Sequence, residues 1–94
     1  MNIYLSGPRN GGVGDFHRFS RAGDSMVDLF SGCTIVNPLA LYPEIDSNNW
    51  EIYIDRCLES LKTCTHINML FGWEKSMPSV IEYFIAKDHG LAFV

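Results

Sequence analysis

Short apolar runs alternate along this chain with longer segments whose apolar residues recur every three or four positions. The run Ile3 to Leu5 stops at Ser6-Gly7-Pro8, which predicts a first, central strand feeding a loop. Asp15 is a candidate N-cap for a helix to about Leu29, with Phe16, Phe19, Gly23, Met26, Val27 and Phe30 on one face. Cys33 to Val36, rich in β-branched residues, predicts a second strand ended by Asn37-Pro38. Leu39 to Ser47, interrupted by Pro43, reads as a loop with room for one helical turn, long enough to wall a pocket and offering Tyr42 to it.

A second helix is expected from near Asn48 to about Lys62, with Glu51 in the position of a capping-box partner. Ile54, Cys57, Leu58 and Leu61 form its inner stripe, Asp55, Arg56 and Glu59 face out, and Trp50 and Tyr53 edge a pocket or meet a partner subunit. His66 to Phe71 predicts a buried third strand. Ser76 as N-cap and Pro78 in the first turn open a third helix on which Val80, Ile81, Phe84 and Ile85 recur at helical spacing, and Leu91 to Val94 is a last strand.

This order predicts a single α/β domain over residues 1–94, with a small parallel sheet of about four strands, helices on both faces and right-handed crossovers. A sheet of that size leaves edges and helix surface uncovered, so a homodimer or higher homo-oligomer is expected. The 47% hydrophobic fraction suffices for a core, and the formal net charge of −4 without a Lys/Arg cluster argues against a nucleic-acid partner. Cys33, Cys57 and Cys64 have no metal-knuckle or CxxC spacing and read as reduced, buried thiols of a cytoplasmic protein. No signal peptide and no run of the roughly 20 apolar residues needed to span a bilayer is expected, so no membrane partner either. The scattered histidines imply no metal.

Candidate chemistry gathers at the ends of the predicted strands, where α/β proteins keep their sites. The loop SGPRNGGVGD offers Ser6, Gly7, Pro8, Arg9 and Asn10; its glycines bring backbone amides close to an anion or sugar, or simply make a flexible turn. It matches neither the dinucleotide fingerprint nor a Walker loop. Phe16, at the loop end of its helix, can cover a base or sugar. Glu82, one or two positions off the apolar stripe, is expected to stay ionised and reach over the strand end, as a nucleophile or anchoring base or as an ordinary solvated carboxylate.

Taken together, IYLSGP, the Asn-Pro after the second strand, Trp50, CTHINMLFGWEKS and SVIEYFIA make the whole chain resemble the nucleoside 2-deoxyribosyltransferase superfamily, in particular its short phage- or prophage-encoded branch of unknown function. That resemblance implies a flavodoxin-like three-layer sandwich and, with no cofactor, cleavage or transfer at the N-glycosidic bond of a 2'-deoxynucleoside or its 5'-monophosphate. It implies Glu82 as the nucleophile, the Gly7 to Gly14 loop under the sugar, Ser79 at a 5'-phosphate, and Gly72 and Trp73 in the substrate site. Two acidic positions of that superfamily fall here on Cys57 and Thr65, which leaves open a ligand-binding protein that has lost turnover.

Overall fold

The computed structural model describes residues 1–41 and 50–94, with Trp50 described by its backbone alone. Tyr42, Pro43 and the expected helix start at Asn48 lie outside the described residues, as does the side chain of Trp50. The elements run β1 (Asn2–Ser6), α1 (Val13–Leu29), β2 (Thr34–Val36), α2 (Pro38–Leu41), α3 (Trp50–Lys62), β3 (His66–Met69), a 3-10 turn (Trp73–Lys75), α4 (Met77–Asp88) and β4 (Ala92–Phe93). The strands form one four-stranded parallel sheet in the order β2-β1-β3-β4. Helices cover both faces, consistent with a flavodoxin-like three-layer sandwich.

Strand β1 sets the two layers, because successive side chains leave opposite faces of a strand. Ile3 and Leu5 pack with Phe19, Met26, Leu39 and Leu70 on the α1 and α2 side. Tyr4 packs with Tyr53, Ile54, Cys57, Leu61, Ile67 and Ala86 on the α3 and α4 side. Ile3, Tyr4 and Leu5 have no exposed surface, the mark of a central strand covered on both faces. The inner stripe of α3 is as expected, with Ile54, Cys57 and Leu61 buried and Leu58 half-buried, while Asp55, Arg56 and Glu59 are exposed.

Three expectations are corrected. Helix α1 begins at Val13 behind Gly12, whose φ of 84° is a left-handed conformation suited to glycine, so Asp15 lies inside the first turn and caps the preceding loop instead. The third strand ends at Met69: Leu70 N–H still donates to Ser6 O, but Gly72 at φ 85° turns the chain and Phe71 is fully exposed. On α4 the buried positions are Ser79, Glu82 and Ala86; Val80, Ile81 and Ile85 are half-buried and Phe84 is exposed. Ala86 joins the core on this side of the sheet with Ile85 packed against it, and Ser79 and Glu82 are the polar groups the helix buries beside them.

No helix of the described residues is long and apolar enough to cross a membrane. Among the described residues no group of three or more His, Cys, Asp or Glu could hold a metal ion.

Candidate functional site

The chain after β1 leads to α1 and β2 on one side of the sheet, while the chain after β2 crosses to β3 on the other. A crevice opens between diverging connections of this kind, at the carboxyl ends of the strands. There the structure has a pocket of about 510 Å³. Its walls come from the loop after β1 (Gly7, Pro8, Arg9, Asn10, Gly11), from Asp15 and Phe19 of α1, from Pro38 after β2 and from Tyr53 of α3. The start of α4 closes it with Lys75, Ser76, Met77, Pro78 and Glu82.

Glu82 is 6% exposed, which removes the alternative of an ordinary solvated carboxylate. Its position follows from the helix start: Ser76 in an extended conformation and Pro78 in the first turn fix the entry of α4. Glu82 then lies one turn in, over the end of β1. Ser6 Oγ donates to its Oε1 across 2.8 Å, and the Tyr4 hydroxyl donates to its Oε2. Both donors come from the face of β1 that looks toward α4. Burial pushes the Glu82 carboxyl up to about 7, against the downward pull of the Tyr4 and Ser6 hydrogen bonds. The expectation of a fully ionised carboxylate is thereby corrected to one poised near neutrality.

Behind Glu82 lies a buried polar chain. Tyr4 has its phenol pushed well above the usual range by burial, then by the Glu82 charge and by Cys57. Cys57, 2% exposed, is raised by burial and by Glu82, an effect opposed by hydrogen bonds from the Tyr4 and Tyr53 hydroxyls. Tyr53 continues the chain to the pocket wall, where the Arg9 guanidinium lies 4.6 Å from its ring centre. Cys57 therefore stays a thiol beneath the pocket and does not line it. Thr65 lies at the opposite end of β3, bonded to Asn2 and His66, and takes no part in the site.

Of the expected site residues, the structure brings Gly7, Pro8, Arg9, Asn10 and Glu82 to the pocket and sets Ser6 just beneath it. Four others fall elsewhere. Phe16 is half-exposed on the outer side of α1. Trp73 stacks on Tyr83 at 4.8 Å, on the flank of α4. Gly72 packs its turn toward the Pro8 ring, within 3.7 Å of where a Cβ would stand. Ser79 has no exposed surface, and its Oγ is buried without a hydrogen-bond partner among the described residues. None of the four is among the described residues lining the pocket.

Asp15 and Lys75 of the pocket wall, and Tyr4 beneath it, carry no sequence signal that points to the site. Asp15 has the sequence position of a helix cap; its carboxylate instead accepts Asn10 N–H at 3.1 Å and Gly11 N–H at 2.8 Å, with Arg18 completing an ion pair. Burial alone would raise its carboxyl, but those bonds outweigh it and hold it below the usual range. Tyr4 sits inside an ordinary apolar strand pattern, and only its contact with Glu82, 78 residues away, gives it a role.

No curated protein and no solved structure matches this chain. A family model described as a domain of unknown function matches residues 1–94, its whole length. The chain belongs to the DUF4406 family.

Proposed function

We propose that the pocket binds a 2'-deoxynucleoside or its 5'-monophosphate and that Glu82 attacks the anomeric carbon, in the manner of the nucleoside 2-deoxyribosyltransferase superfamily that the sequence resembles. In the first step the bond from a Glu82 oxygen to that carbon forms as the bond to the base nitrogen breaks, and the base leaves with the electron pair and takes up a proton from solvent water. Water, or a second base, then displaces Glu82. The observation that carries the reading is the buried Glu82 carboxylate, held by Ser6 and Tyr4 at the pocket wall.

Elementary chemistry supports it. A carboxylate at the face of the sugar stabilises an oxocarbenium-like transition state and can trap it covalently. Two hydroxyl donors fix the carboxylate without neutralising it, and a pocket of about 510 Å³ is of the size that small ligands occupy. The exposed apolar residues of α4 support self-association, since Phe84 and Met77 stand 61% and 66% exposed on one domain of 94 residues.

One observation favours a second reading, ligand binding without turnover. The leaving base needs a proton, and Cys57, which stands where the resemblance puts an aspartate, is a buried thiol with its pKa raised. Free-base release from a panel of nucleosides and 5'-monophosphates, in ribo and deoxy forms and with and without an acceptor base, separates the two. Glu82-dependent release supports the enzyme; saturable binding with no release supports the binding protein.

A further inference from the structure

Backbone amides of a glycine-rich loop are the usual means by which such a loop holds an anion. In this chain the cradle is already filled. The Asn10 and Gly11 amides both donate to Asp15, which is 3% exposed, forms part of the pocket wall and is paired with Arg18. A phosphate entering there would have to expel a buried carboxylate from two amides and a guanidinium, leaving that charge uncompensated. Ser79, the other candidate phosphate ligand, is fully buried and off the pocket wall.

The cations of the described pocket wall, Arg9 and Lys75, take no part in this cradle. Arg9 lies over the Tyr53 ring, and Lys75 is exposed, where solvent and salt screen its charge. Asp15 retains capacity of a different kind. A carboxylate has about four lone-pair positions. Here Oδ1 accepts from Asn10 and Arg18, and Oδ2 from Gly11. Oδ2 can accept one more hydrogen bond, from a hydroxyl.

We infer that Asp15 is a specificity-determining residue: by filling the amide cradle of the loop after β1, it makes this wall of the pocket accept a ligand hydroxyl and reject a phosphate. The inference rests on the nucleoside reading of the pocket and narrows it to unphosphorylated nucleosides.

The test compares calorimetric binding of deoxynucleosides and their 5'-monophosphates to a Glu82→Gln protein, which holds substrate without turnover, with and without Asp15→Asn. Nucleosides should bind at least tenfold more tightly than monophosphates, and Asp15→Asn should narrow that ratio at least tenfold. Tighter binding of the monophosphates, or a ratio that Asp15→Asn leaves unchanged, overturns the inference. Inorganic phosphate titrated into the intact protein gives a readout independent of folding of the variant and of any nucleoside chemistry. The Asn10 and Gly11 amide resonances should not move; a saturable shift of both overturns the inference. If neither ligand class binds but those resonances stay fixed, the nucleoside reading falls while the exclusion of phosphate stands.

Discussion

Ser6 Oγ lies 2.8 Å from Glu82 Oε1, joining the last residue of the central strand to the second turn of the last helix. With the Tyr4 hydroxyl on the other oxygen, the contact ties the orientation of the carboxylate to the position of β1, the most buried strand of the sheet. Rigid placement of this kind is what a reacting group requires, because the geometry is set before a ligand arrives.

Tyr4→Phe tests the second donor. Its hydrogen bond lowers the Glu82 pKa, so its loss should raise that pKa further and move the rise of activity with pH toward alkaline values. Leaving one carboxylate oxygen with a lost partner should cost about 1–2 kcal/mol of stability. Urea unfolding and a pH–rate profile read the two effects; a profile that stays in place contradicts the role given to Tyr4.

Glu82 also makes stability depend on pH. Its folded pKa of about 7 lies above the ordinary 4.5, so the folded state holds the proton more tightly than the unfolded one. The favourable contribution is fully present below about 4.5, is lost as pH rises through about 7, and amounts to about 3 kcal/mol. Glu82→Gln, which keeps the shape and has no charge to bury, should lose much of this dependence and be the more stable protein at pH 8. Unfolding curves at pH 5 and pH 8 that run parallel for the two proteins would show that Glu82 is not buried as described.

Glu82→Gln is also the better activity control than Glu82→Ala. Truncation would leave the Ser6 and Tyr4 hydroxyls unpaired in the interior and confound loss of function with loss of fold.

Much of the sheet was legible because its signals are local. Ile3 to Leu5 between the amino terminus and Ser6-Gly7-Pro8, Asn37-Pro38 after the second strand and the 54-57-58-61 stripe of α3 each announce their elements. The pocket wall was legible at Gly7 to Asn10 of the loop after β1 and at Glu82 of α4. Helix α4 buries Ser79 and Glu82 beside Ala86, with Ile85 packed against the same core, while Phe84 of its apolar spacing stays exposed. Periodicity locates the apolar stripe of a helix and not which polar residues at its margin are buried with it. Asp15 and Tyr4 acquire their roles from partners that a linear pattern does not connect.

Gly7 joins β1 to the pocket loop at a close approach. A Cβ there would stand 2.7 Å from Leu70 Cβ, an atom fixed to the backbone. Gly7→Ala should therefore displace the loop or the chain after β3, costing about 1–3 kcal/mol. A thermal melt unchanged from the parent protein would contradict the packing.

The outer flank of α4 carries Trp73 stacked on Tyr83, with Phe84 and Phe93 at 5.3 and 5.2 Å from the Tyr83 ring. Phe84→Glu places a charge in that surface and should shift the protein toward monomer in analytical ultracentrifugation. A monomeric parent protein, or an assembly indifferent to the substitution, contradicts self-association through this face.

The most direct test of the central claim is base release from deoxynucleosides by the intact protein and by Glu82→Gln at pH 8, where the variant is expected to be well folded. The account predicts release by the parent and a loss of at least a thousandfold in the variant, with ligand binding retained. Release that persists undiminished in the folded variant would contradict a nucleophilic Glu82.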